Sequence, residues 1–235
     1  MHNLAKKIQT RIESIYDTKL IKNIGNSITN KTKHVGDFIG EDKKIKSIVY
    51  KNKEYGFTCC KVLEDKLENI VFISPEITKN LKENNPFKSL NEKNILSFLI
   101  LAEEIDHWEY LNTKFELQKT PNNFELELQA AVTKYWLSIR SMAENKNELT
   151  KKDISFLMLN VFPQCDLNLD KNKIDVDDMI KREDYLVADL LAMDYCKYLT
   201  GKSIDSILFS LRKFYRMDEK EKINYVMKDF ENNPM

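Results

Sequence analysis

The run FLILAEEIDHWEYL, residues 98–111, places Glu103, Glu104 and His107 inside an otherwise apolar stretch, and it uses one of only three histidines in the chain. An unpaired charge in apolar surroundings is strongly unfavourable, so these side chains need partners. Carboxylate oxygens and imidazole nitrogens are ligand types for zinc, manganese and iron, and a carboxylate beside such an ion can act as a general base. On a helix turning about 100° per residue, Leu96, Ile100, Glu103, His107 and Leu111 share an arc of roughly 80°, with Glu104 about 20° beyond its edge. The three polar groups are expected to lean the same way. Phe98, Leu101, Ile105 and Trp108 cover the other side and leave a narrow polar strip around Ala102, Asp106, Glu109 and Thr113. A helix apolar on two faces belongs at the centre of its bundle.

Two later segments can supply partners. In FELELQAAVTKYWLSI, Leu128, Val132, Tyr135 and Ile139 mark the apolar face. Glu125 and Gln129 fall on its edge, whereas Glu127 and Lys134 point away, so Glu125 is the preferred glutamate. In REDYLVADLLAMDYCKYL, Asp184 falls inside the face made by Ala188, Leu191, Ala192, Tyr195 and Leu199, and Asp189 lies close to its border. Three helices can each offer an inward acid.

Inward carboxylates combined with a Glu-x-x-His on bundle helices resemble the ligand set of ferritin-like carboxylate metal proteins, where Glu104 and His107 would be the i, i+3 motif. Those proteins carry a second Glu-x-x-His, but the other histidines here, His2 and His34, lie in the polar N-terminal region. The expected site is therefore a single zinc, manganese or iron ion held by Glu104, His107 and Glu125, with Asp184 as a fourth ligand. Glu103 would orient a ligand or act as general base. The same residues also fit a structural network in which carboxylates bond to imidazole, tyrosine or indole N–H.

A second resemblance covers more of the chain. EEIDHWEYL, ELELQAAVTKYW, EDYLVADLLAMDYCKYL and LRKFYRMDEKEKINYV are together similar to an uncharacterised family of bacterial proteins with E-E-x-x-H-F and E-L-E-L-Q-A-E-V-D-K motifs. The overlap spans most of residues 45–228. Glu103, Glu104, His107, Glu125, Glu127, Gln129 and Lys134 match, whereas Trp108, Ala131 and Thr133 stand where Phe, Glu and Asp are expected. The resemblance implies kinship and no particular reaction.

The elements that must position these residues are mostly helical. LA-KKIQ-TRIES-IY sets Leu4, Ile8, Ile12 and Ile15 on one stripe with Lys6, Lys7 and Arg11 outside it, which predicts an amphipathic helix docked on the body or offered to an acidic membrane surface or partner groove. IKSIVY, YGFTCCKVL and NIVFIS predict a three-stranded antiparallel meander within 45–74. Beyond Pro75 the pattern is helical: 75–83, 90–117, 122–145, 151–160, 180–200, 203–216 and 218–231. Ser89 with Glu92 and Asn122 with Glu125 have capping-box spacing, and Ser203 and Asp218 suit N-caps. The expected fold is mainly α (α+β), with a basic N-terminal helix and connector at 1–44 and one α-rich domain at 45–235, its helices spanning 75–231.

A chain of 235 residues, 42% hydrophobic and 31% charged, can bury a core without staples. Cys59, Cys60, Cys165 and Cys196 show no C-x-x-C spacing, which suits a reduced protein, and no signal-peptide or membrane-span pattern is visible, so a cytoplasmic location is expected. Residues 1–53 hold twelve Lys/Arg against five Asp/Glu, yet the formal net charge is zero and no groove-reading motif accompanies the excess, so nucleic acid is not expected. DLNLDKNKIDVD starts like a calcium loop at Asp166 but has Lys171 where Gly is needed and Asp177 in place of Glu. No phosphate-cradling Gly loop, G-x-S-x-G or H-E-x-x-H occurs. Two functions remain: a metal-dependent hydrolase or oxidase, or a non-catalytic protein in which the Glu/His cluster is a buried polar network and Phe209, Phe214 and Tyr215 meet a protein partner or a second copy.

Overall fold

The computed structural model describes residues 1–20, 22–40, 55–64, 66–146, 148–163 and 176–232, the last span with side chains over 185–227. In chain order the elements are α1 (His2–Tyr16), a short 3₁₀ turn (Ile24–Asn26), β1 (Ile28–Thr29), α2 (Thr32–Ile39), β2 (Gly56–Leu63) and β3 (Lys66–Ile73). Then follow α3 (Pro75–Glu83), α4 (Ile95–Glu116), α5 (Asn123–Ala143), α6 (Lys151–Val161), α7 (Val176–Thr200), α8 (Ile204–Arg216) and α9 (Glu219–Asn232). The fold is mainly α with one small three-stranded sheet. Helix ends follow local chemistry: Ser74 accepts from the Ile77 amide ahead of Pro75, Asn122 from Glu125, and Asp218 and Glu221 cap each other reciprocally. Ser89 caps nothing. Buried Asn94 instead binds the Asn84 and Ser89 carbonyls and holds 85–94 in turns, so α4 starts five residues later than its sequence suggests.

The sheet departs from the expected meander. β2 and β3 form the predicted antiparallel hairpin, with Glu64 in the left-handed region at the turn. The third strand, however, is the two-residue β1, which runs parallel to β3 and pairs Ile28 with Val71, giving the order β1-β3-β2. IKSIVY lies outside the described residues. So short a strand leaves no periodicity to detect. Alternation along β3 sends Val71 and Ile73 into the main core and Ile70 and Phe72 to a smaller cluster with Phe57 and Val35 of α2. Cys59 packs on that smaller cluster, while Cys60 faces the other way and is exposed.

α1 docks on the body: Ala5, Ile8, Ile12 and Tyr16 are fully buried in the same core as α4, α5 and α8. α4 is enclosed by α1, α3, α5, α6 and both long strands. The strip read as its polar edge is therefore buried as well, since Ala102, Asp106 and Glu109 are each 0% exposed. Phe214 and Tyr215 belong to this core, Tyr215 stacking on Tyr16 and meeting Tyr110 edge to face, and of the three aromatics expected at an interface only Phe209 is exposed.

Gly56 marks the closest approach of the sheet to α4. A Cβ there would meet Ile73 Cδ1 at 3.0 Å, Glu104 Cγ at 3.1 Å and the Phe72 carbonyl oxygen at 3.1 Å. Gly56→Ala is expected to cost about 1–3 kcal/mol in urea unfolding, because both the strand and the carboxylate must shift. An unchanged midpoint would show that β2 yields freely.

Candidate functional site

α4 sends its acids in three directions. Glu104 lies about 60° around the helix from His107 and about 100° from Glu103, enough to face a different neighbour when the helix is enclosed. It turns to the sheet, where Thr58 donates to its Oε2 at 2.8 Å, and burial followed by the nearby Glu103 charge pushes its carboxyl well above the usual range. It does not meet His107.

Glu103 and His107 face α5 and α7. Lys134 Nζ donates to Glu103 Oε2 at 2.6 Å, and His107 Nε2 lies 3.5 Å from Glu127 Oε1. One ligand atom from each of Glu103, His107 and Glu127 falls within 4.8 Å of the other two. Asp189 of α7 adds its charge to the same group, since it acts on both Glu127 and Lys134. The two residues read as pointing away, Glu127 and Lys134, are thus part of the cluster. The apolar stripe of α5 marks its contact with the core, but the edge carrying Glu127 and Lys134 is covered by α4 and α7 together.

The electrostatics of this cluster follow from crowded acids. Burial lifts the Glu127 carboxyl, and the Glu103 and Asp189 charges add to it. Burial likewise pushes Asp189 up to about 6. Burial works on Glu103 in the same sense, but the Lys134 ammonium and His107 outweigh it and leave that carboxyl below its ordinary value. Burial, assisted by Lys134, lowers His107, which favours the neutral imidazole that can ligate a metal. His107 Nδ1 is buried without a hydrogen-bond partner among the described residues. The cluster is not sealed: the Glu103 side chain is 29% exposed and that of Glu127 20%.

Glu125 belongs to a different constellation. Its Oε1 accepts from Tyr110 Oη at 2.6 Å and pairs with Lys114 Nζ at 2.7 Å. Fully buried Lys222 of α9 donates to Gln129 Oε1 at 2.8 Å, and Gln129 in turn donates to Thr133 Oγ1 at 3.1 Å. Thr133 gives its only hydroxyl proton to Asp106 Oδ1 at 2.8 Å, so the Tyr16 hydroxyl, 2.7 Å away, donates to Thr133. Burial pushes Asp106 up to about 7 and holds Lys222 well below its usual value. Of the expected ligand set, then, His107 meets Glu103, while Glu104 and Glu125 are engaged elsewhere; the Asp184 side chain and the calcium-like run from Asp166 to Ile174 lie outside the described residues. The signal for Glu127 was its seven-residue spacing from Lys134, two turns apart on one helix edge.

No family model, curated protein or solved structure matches the chain. Among the described residues no helix is long and apolar enough to cross a membrane.

Proposed function

We propose that Glu103, His107 and Glu127 hold one divalent ion of the zinc, manganese or iron class, and that the ion polarises a water for hydrolysis. The observation that carries this reading is the approach of three ligand atoms, from two helices, to within 4.8 Å of one another. Ligand atoms about 2.1 Å from a tetrahedral ion stand about 3.4 Å apart, so small side-chain rotations close the set. A cation would also relieve the repulsion that lifts Glu127 and Asp189. Lys134, displaced from Glu103 by the ion, is placed to pair with Asp189 or with an anionic substrate.

Elemental analysis of protein purified without chelator tests this. About one divalent ion per chain is expected, absent from His107→Ala and from Glu127→Gln, and chelator should lower the melting midpoint of the wild type only. The 2.6 Å Lys134–Glu103 bridge favours a second reading, in which the lysine is the cation of a closed polar lock. In that case the protein is metal-free, chelator is inert, and His107→Ala still costs about 1–3 kcal/mol.

A further inference from the structure

A polar groove that shares no residue with this cluster lies between α1 and α5. It has a volume of about 440 Å³ and is lined by Asn3, Lys6, Lys7, Thr10, Arg11, Arg140 and Glu144. Four of these side chains are cations and one is an anion. Arg11 is the fixed point, only 4% exposed: its Nη1 donates to Ser141 Oγ at 2.7 Å, its Nη2 pairs with Glu144, and its guanidinium lies 4.0 Å from the centre of the Phe87 ring. Arg140 Nε reaches the other oxygen of the same carboxylate at 3.3 Å. Two guanidinium groups therefore converge on a single anion supplied by the protein. Lys6 and Lys7 are exposed on the groove and form no ion pair among the described residues.

We propose that this groove binds a phosphate group, with the Glu144 carboxylate occupying the place of one phosphate edge when no ligand is present. Planar guanidinium forks match pairs of phosphate oxygens, and lysines add point charge without demanding geometry. A carboxylate ligand would bring one charge; a phosphate monoester or diphosphate brings two or more, closer to the excess of three cations left after Glu144 is counted. The feature also explains the basic face of α1. Docking uses Ile8 and Ile12, with Lys7 Nζ 4.3 Å from the centre of the Phe87 ring, and leaves the Lys6 ammonium outside that contact.

Phosphate of this kind is carried by soluble phosphorylated metabolites and by anionic lipid headgroups, and one experiment separates them. The full chain is titrated with inorganic pyrophosphate and, separately, with phosphatidylcholine vesicles with and without phosphatidic acid. Saturable binding to pyrophosphate alone identifies a soluble ligand; binding only to vesicles containing phosphatidic acid identifies a headgroup. Under either result the Lys6→Glu, Lys7→Glu double variant should bind at least about tenfold more weakly, with the melting midpoint lowered only slightly by loss of the Lys7–Phe87 contact. Glu144→Gln should bind more tightly, having lost the internal competitor. The proposal is overturned if neither probe binds, if the double variant binds like wild type, or if Glu144→Gln weakens binding, which would make Glu144 a ligand and not a rival.

Discussion

Glu125→Ala should lower stability by about 3–5 kcal/mol in urea unfolding, the cost of removing one partner from a buried ion pair. The Lys114 and Lys222 side chains are 1% and 0% exposed, and Glu125 is the carboxylate between them. Its loss strands the Lys114 ammonium against the Met217 carbonyl, takes the 2.6 Å acceptor from the Tyr110 hydroxyl and leaves it that carbonyl at 3.4 Å, and leaves Lys222 with the neutral Gln129 amide and the Asp106 carboxyl. Lys114→Met in the same background should recover part of the loss, because an apolar side chain of similar volume leaves no unpaired charge to bury. A Glu125→Ala protein within about 1 kcal/mol of wild type would mean that water reaches both amines, against their burial.

A second large effect is expected in the pH dependence of Asp106. Its Oδ2 has no partner among the described residues, and burial holds the acid protonated to about pH 7 against an ordinary value of 3.8, with Lys222 and Lys134 pulling the other way and Glu103 adding to the lift. Between those two values the unfolded chain has released a proton that the folded chain retains. Rising pH therefore favours unfolding by about 1.4 kcal/mol per unit for this group, and the trend stops once the folded carboxyl also ionises. Asp106→Asn removes the titration while keeping the shape. Relative to wild type, the variant should gain stability steadily from about pH 4 to pH 7 and then level off. Parallel profiles across that interval would show instead that Asp106 stays ionised in the fold and is balanced by Lys222.

The long, strongly periodic helices were readable from the sequence because their apolar stripes and caps agree. Asn122, Ser203 and Asp218 stand at helix starts as expected, and Ile8 and Ile12 dock as their stripe implies. The partners of α4 were less readable. A helical wheel gives directions relative to the helix axis, but not which neighbour occupies each direction. Enclosed by elements on every side, α4 could separate Glu103 from adjacent Glu104 and bury Asp106 and Glu109. The same limit hid Glu127: the apolar face of α5 was visible, whereas the joint cover of its polar edge by α4 and α7 depends on tertiary packing. Thr133 is instructive here. Its hydroxyl touches Asp106, so a carboxylate at that position would crowd a second acid against the first.

Where α1 sits also has a consequence for the order of events during synthesis. Several of its anchoring contacts are remote in the chain: Tyr16 reaches Thr133 across 117 positions, Arg11 reaches Ser141 across 130, and Tyr16 stacks on Tyr215. None of these partners exists when α1 leaves the ribosome. Its apolar stripe meets the 3₁₀ turn early but must wait, solvent-exposed or shielded by a chaperone, until α4 and α5 are translated, and closing so long a loop slows the final step. An early helix is thus housed late, and a nascent chain halted before α4 would present Ile8 and Ile12 to whatever binds such surfaces in the cell.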